Sequence, residues 1–320
     1  MLREFAILME QSTPVIRLSG FDLGRSLIYA GLPNLNPSGS VKDVMAFHML
    51  RRAEERGEIE PGYTILEVTT GNTGIAFSML ASLCGYRFVA VMPEHMSIER
   101  RQIMRAYGAE VVLTPRDADM PGAIARYEEL KRELAPRVWP PSQFANEDNI
   151  DSHYHTTGGN LIRALPDSVD FFVTGVGTGG TFLGVSRRLR EEFPNCRMVA
   201  IEPAESAVLG GGAPAIHGIQ GIGEGFVPDL IARHREELDQ IETVTTAEAE
   251  AMTRELALRS GIFAGVSSGA NVTVARRLAR LHPGARIATL IPDRGERYLN
   301  QGLFGCTPHD CESSRCPAHQ

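Results

Sequence analysis

Val173-Thr174-Gly175-Val176-Gly177-Thr178-Gly179-Gly180-Thr181 leads from an apolar run, Asp170 to Gly175, into a segment of helical period, Phe182 to Glu192. A strand that ends in a glycine turn and opens a helix is the repeating unit of a parallel α/β sheet. Its backbone N–H groups converge on one point at the helix N-terminus, so the turn reads as a phosphate cradle. The same run satisfies G-x-G-x-x-G through Gly175, Gly177 and Gly180, and Glu202 ends the next strand, where a dinucleotide fold places its ribose acid. A phosphorylated cofactor and a nicotinamide dinucleotide are both open at this point.

The rhythm extends in both directions. Strands are expected at Thr64 to Thr70, Arg87 to Met92, Glu110 to Thr114, Met198 to Glu202, Ile241 to Thr245 and Arg286 to Pro292. Helices are expected at Ser97 to Tyr107, Ala123 to Leu134, Ala247 to Ser260 and Ala270 to Leu281. The class is α/β. Trp139 to His155, with its prolines, amides and acids, breaks the pattern and reads as a domain crossing; Gly210 to Gly225 reads as a long loop of the kind that lines or covers a site.

The 320 residues are 43% hydrophobic with a net charge of -7, enough for a large core and room for two domains. With no basic block or aromatic-basic interleaving, nucleic acid is not expected as a partner. No apolar run spans a bilayer and the start lacks a signal-peptide core, so no membrane is expected and a cytoplasmic location is inferred. Cys84 and Cys196 read as structural thiols. Cys306, Cys311 and Cys316 repeat every five residues in a polar tail with His309 and His319, without C-x-x-C spacing; the tail reads as loosely ordered with no metal expected, metal binding or a redox clasp being the alternative.

Three further segments carry chemistry. In Asn36-Pro37-Ser38-Gly39-Ser40-Val41-Lys42-Asp43, Ser40 and Asp43 have capping-box spacing, which puts Lys42 in the first turn of a buried helix, where an amine can be held to form an imine with an aldehyde cofactor. Thr69-Thr70-Gly71-Asn72-Thr73-Gly74 also joins strand to helix but offers hydroxyls and an amide, which suits a carboxylate; plain N-capping is the alternative. In Gly265-Val266-Ser267-Ser268-Gly269, a neutral hydroxyl facing a pyridine nitrogen would leave that nitrogen unprotonated and favour β-elimination over transamination.

Taken in order, these segments resemble the cysteine synthase / cystathionine β-synthase family of pyridoxal-phosphate enzymes. Further matching runs are Thr13 to Leu18, Gln143-Phe144, His153-Tyr154 with Thr156 to Gly158, His217 to Pro228, and Asp293 to Leu299. The resemblance implies the type II pyridoxal-phosphate fold, like the tryptophan synthase β chain, with two open twisted sheets covered by helices. It implies a large domain from residues 1–36 and 152–305, a smaller mobile domain of residues 37–151, and a tail of residues 306–320. It also implies pyridoxal 5′-phosphate bound as an imine to Lys42, its 3′-oxygen met by Asn72, its phosphate held by Gly177, Thr178, Gly179, Gly180 and Thr181, and its ring nitrogen facing Ser267. Thr69, Thr70, Thr73 and Gln143 would take the substrate carboxylate.

The activity so implied is β-replacement through an aminoacrylate, joining an O-activated L-serine to sulfide to give L-cysteine in a homodimer. Related β-replacements remain open: O-phosphoserine sulfhydrylase, cystathionine β-synthase or another β-substituted alanine synthase. So do a nicotinamide-dependent oxidoreductase on Gly175 to Gly180 with Glu202, and a non-catalytic scaffold. Two positions depart from the family pattern. Val44 replaces the usual arginine after Lys-Asp. Gln220 stands near the arginine of members that use O-phosphoserine, and with Glu224 this points to O-acetylserine.

Overall fold

The computed structural model describes residue 6, residues 13–69 and residues 71–305, the Asp119 side chain apart. A six-stranded sheet runs β1-β2-β10-β7-β8-β9, built from Val15–Arg17, Leu27–Gly31, Arg286–Leu290, Phe171–Gly175, Arg197–Pro203 and Gln240–Val244. A four-stranded sheet runs β5-β4-β3-β6, from Glu110–Thr114, Arg87–Pro93, Thr64–Val68 and Val138–Trp139. Every pairing is parallel except β1 with β2.

Parallel strands covered on both faces are apolar on both, and β8 shows how: Met198 and Ala200 enter one core layer with Phe172 and Phe182, while Val199 and Ile201 enter the opposite layer with Val173 and Val272. Full burial of each such valine or isoleucine contributes about 1.5–3 kcal/mol. The smaller sheet is enclosed likewise, with Ile65 and Ala90 facing one layer and Leu66, Val89 and Val91 the other. Among the described residues no helix is long and apolar enough to cross a membrane.

The helices that matter for the site are α1 Lys42–Glu55, α2 Asn72–Cys84, α5 Asp148–Ser152, α7 Gly180–Glu192 and α10 Val266–Leu281. Between α1 and α2 lies β3; α3 Ile98–Ala106 and α4 Asp119–Leu134 follow within the smaller sheet's half of the chain, and α6 Gly159–Ala164, α8 Asp229–Arg233 and α9 Thr246–Ser260 belong with the larger sheet. The apolar stretch 72–84 ends at Gly85, whose φ of 75° is the left-handed cap that glycine adopts without a Cβ penalty.

Several expectations are corrected. The expected strand Thr64 to Thr70 closes at Val68, because Thr69 turns its hydroxyl back to accept from the Gly71 and Gly74 N–H groups. The break expected from Trp139 to His155 holds only to residue 147; from Asp148 the chain is helical through Ala164, with a π-wound turn over His153–Gly158. Acidic residues in the first turn favour that start, and the expectation gave too much weight to amides that cap. Gly210 to Gly225 contains no helix or strand, as read.

Candidate active site

The chain ends of β3, β7 and β10 point into one cleft, where ligands of open α/β sheets bind. One part, open to solvent on one side, is lined by Lys42, Gly177, Thr178, Gly179, Thr181 and Ser267. The adjoining part, also open to solvent, adds Thr69, Asn72, Thr73, Gln143 and Glu224. Thr70 lies outside the described residues, as do Cys306, Cys311 and Cys316.

Lys42 occupies the first position of α1. The expected capping box is not formed as read. Ser40 Oγ accepts from the Lys42 N–H at 3.3 Å, but the Asp43 carboxylate reaches past Ser40 to accept the Ser38 N–H at 2.6 Å and the Ser38 hydroxyl. Arg297 donates to the carbonyls of Ser38 and Gly39. The Pro-Ser-Gly turn is thus closed from both sides, and Lys42 leaves it in a fixed direction. Burial pushes the Lys42 ammonium pKa down, opposed by the nearby carboxylates of Glu224 and Asp293. Burial lifts the Asp43 carboxyl to about 6. The chain has two lysines, and the other, Lys131, stands half-exposed on α4 beside Glu128. Lys42 is therefore the sole side-chain primary amine available to this cleft. Val44 is buried in α1, and nothing in the structure explains its choice over arginine.

The glycine turn at the head of α7 is built for close approach. A Cβ on Gly177 would lie 2.5 Å from the Gly221 carbonyl oxygen, and one on Gly180 would lie 1.9 Å from Asn149 Oδ1. Asn149 in turn donates to Thr178 Oγ1 at 3.0 Å and to the Gln143 carbonyl at 2.8 Å. His153, inside the π turn, sits between the hydroxyls of Thr157 at 2.9 Å and Thr181 at 3.2 Å. Burial and then the Lys42 charge hold its pKa well below the ordinary histidine value. Bare N–H groups beside two threonine hydroxyls form a set of donors for a phosphate.

In the other loop, Thr73 Oγ1 donates to Gln143 Oε1 at 2.7 Å. Gly71, not Thr70 or Asn72, is the cap of α2, and Asn72 turns away to donate to Asp293 Oδ2 at 2.8 Å. Beneath the loop, Glu67 is buried and accepts the N–H groups of Val68 at 3.2 Å and Gln143 at 3.4 Å; burial lifts its carboxyl to about 8. Ser267 is buried in the first turn of α10 and lines both parts of the cleft.

Some readings fail here. Glu202 is spent on capping its own loop: its carboxylate accepts the N–H groups of Leu209 at 2.6 Å and Gly210 at 2.8 Å, so it cannot serve as a ribose acid and the dinucleotide reading falls. Gln220 does not line the cleft; its amide donates to Gln301 Oε1 at 3.2 Å. Glu224 does line it. Cys196 is buried and its thiol is pushed up to about 12; Cys84 is half-buried and pushed up to about 11, as befits thiols with a packing role. Sequence reasoning missed Asn149, Asn271 and Tyr298 and gave Asp293 no role. Asn271 ties the Gly175 N–H to the Leu290 carbonyl at 2.8 and 2.9 Å, joining the ends of β7 and β10. No local pattern could reveal this, because the partners lie 96 and 19 residues away.

An amine, a glycine cradle that no Cβ could enter, a buried hydroxyl at a helix start and an Asn72 amide with one N–H not used by Asp293 fit pyridoxal phosphate, an aldehyde with a phosphate arm. A family model described as pyridoxal-phosphate dependent enzyme matches residues 7–293. A cysteine synthase of Staphylococcus aureus is 44% identical over 295 residues, covering 91% of this chain and 94% of that protein. The crystal structure of a cysteine synthase from Entamoeba histolytica is similar with a TM-score of 0.89 and 37% identity, over 94% of this chain and 90% of that one. An O-acetylserine dependent cystathionine β-synthase from Helicobacter pylori is similar with a TM-score of 0.87 and 38% identity, over 92% and 97%. The type II architecture is common to them, and by matched span and identity this chain belongs to the pyridoxal-phosphate dependent enzymes and, within them, to the cysteine synthase family.

Proposed function

We propose that the enzyme forms L-cysteine from O-acetylserine and sulfide by β-replacement in the cleft around Lys42. The observation that carries the reading is the position of that amine, between the Gly177 to Thr181 cradle and the hydroxyl-rich loop that opens α2. When bound, pyridoxal phosphate supplies the electron-withdrawing ring that lets a Cα proton and then a β-substituent depart.

The chain's residues do the rest. Lys42 Nζ would hold the cofactor through its aldehyde and would be the base that accepts the Cα proton; the burial that lowers its pKa favours the neutral, basic form. The N–H groups from Gly177 to Gly180 and the hydroxyls of Thr178 and Thr181 bind the phosphate. Asn72 would donate to the 3′-oxygen, and Ser267 would face the ring nitrogen with a neutral hydroxyl, which favours elimination. Thr69, Thr70, Thr73 and Gln143 bind the substrate carboxylate. Residues 37–151 act as the smaller unit that closes on the larger one, residues 1–36 with 152–305, and exclude water. The proposal extends to a homodimer acting in the cytoplasm, following the family resemblance.

Burial raises the pKa of the Glu224 carboxyl and the Lys42 charge opposes that; in its ionised form this group, in the substrate half of the cleft, disfavours a dianionic phosphate ester and so supports the acetyl ester. The H. pylori and E. histolytica proteins, both similar over most of this chain, bear names consistent with that choice. The test supplies purified holoenzyme and sulfide with O-acetylserine, O-phosphoserine or serine in turn and measures L-cysteine. O-acetylserine should give a rate at least about tenfold above the other two. Faster turnover of O-phosphoserine, or no cysteine from any of them, would overturn the reading.

A further inference from the structure

Asp293 joins three of the loops that line the cleft. Its backbone forms an isolated antiparallel bridge with Ser40, two residues before Lys42, and its carbonyl accepts the Gly265 N–H at 3.2 Å, two residues before Ser267. Its side chain, 1% exposed, accepts through Oδ2 from Asn72 Nδ2 at 2.8 Å and from the Tyr298 hydroxyl at 2.8 Å. Arg100 donates to that hydroxyl at 3.2 Å.

A carboxylate facing these donors only accepts, so the atom that Asn72 turns toward it must be the NH2 group. One of the two N–H bonds is thereby used. The other remains for the cleft, and Oδ1 is kept off the Asp293 contact. An asparagine without such a partner could flip and present its carbonyl oxygen, which would repel an oxygen acceptor on a ligand. We infer that Asp293 is a positioning residue that locks Asn72 as a hydrogen-bond donor toward the oxygen beside the cofactor's aldehyde. The inference rests on the proposed role of Asn72, and its consequence is that cofactor affinity depends on an acceptor at position 293 rather than on a charge there.

The experiment strips the full-length protein of cofactor, adds pyridoxal phosphate back, and reads the half-saturating concentration and the visible absorption band of four proteins beside wild type. These are Asn72→Ala, Asp293→Ala, the double variant, and Asp293→Asn, which keeps an acceptor without the charge. Asn72→Ala should raise the half-saturating concentration about tenfold. Asp293→Ala should raise it by a similar factor, and the double variant should show no further loss, since the two act through one hydrogen bond. Asp293→Asn should stay within about threefold of wild type. If Asn72→Ala changes neither readout, the Asn72 role fails. If it does change them but the Asp293→Ala loss is absent or adds in full to it, or if Asp293→Asn behaves like Asp293→Ala, the positioning role fails while the Asn72 role stands. Should Asp293→Ala not fold, the Asp293→Asn result and its thermal midpoint decide alone: tenfold weaker binding at unchanged stability overturns the inference.

Discussion

Thr73 and Gln143 are 70 residues apart in the chain and share a 2.7 Å hydrogen bond, the Thr73 hydroxyl donating to the Gln143 amide oxygen, both buried in the wall of the cleft. The bond closes the carboxylate loop against the segment that returns from the smaller sheet. Gln143 then presents its NH2 group, which donates to the Val68 carbonyl at 3.5 Å and has a second hydrogen to offer a substrate.

Thr73→Val keeps the shape and removes the hydroxyl. Leaving Gln143 Oε1 without its donor should cost about 1–2 kcal/mol, expressed as a KM for O-acetylserine raised about five- to thirtyfold with a smaller change in kcat. Steady-state kinetics at saturating sulfide check this; an unchanged KM would exclude Thr73 from the carboxylate site.

Glu67 sets a pH dependence of stability. Its folded pKa of about 8 lies above the ordinary value of 4.5, so the folded state binds the proton more tightly than the unfolded chain. Its contribution is therefore fully present below about pH 4.5 and lost as pH rises through about 8. Glu67→Gln keeps an acceptor for one of the Val68 and Gln143 N–H groups, at a cost that does not vary with pH, and cannot ionise. Urea unfolding at pH 5.5 and 8.5 should show wild type losing stability relative to the variant on going to the higher pH, by at most about 4 kcal/mol. A parallel response of both proteins would contradict the burial argument.

Gly177→Ala tests the cradle. The added methyl would meet the Gly221 carbonyl at 2.5 Å, and because the obstacle is backbone, the 177–180 turn or the 221 loop must shift. Half-saturation by pyridoxal phosphate should require at least about tenfold more cofactor, as expected when several phosphate hydrogen bonds lose their geometry. Equal affinity would remove this turn from the phosphate site.

Glu224→Gln removes an ionisable carboxyl from the substrate half of the cleft. It should raise kcat/KM for O-phosphoserine about tenfold while changing that for O-acetylserine by less than about threefold. Equal effects on the two esters would show that Glu224 does not discriminate between them.

The sequence made legible whatever is local. The glycine turn at residues 175–180, the parallel strands 171–175 and 197–203, and the helix that starts at Lys42 each depend on residues adjacent in the chain, and each lies where the reading put it, within a residue or two. Short elements were missed: β1 and β6 have three and two residues, too few for a period to show, and β2, Leu27–Gly31, was missed with them. The cap of α1 was misread because Ser38 and Ser40 offer Asp43 the same chemistry two residues apart, and only the turn enforced by Arg297 from the far end of the chain decides between them. Asp293 and Asn149 were passed over for the same reason. A buried carboxylate or amide acts through partners that only the folded chain brings near.

The linkage at Lys42 can be tested by reducing the holoenzyme with borohydride, digesting it and locating the phosphopyridoxyl group by mass. With two lysines in the chain, only two side chains can carry the label. The account predicts the modification on the peptide containing Lys42, with Lys131 unmodified and no visible band in Lys42→Ala. A holoenzyme whose cofactor reduces onto Lys131, or onto neither lysine, would contradict it.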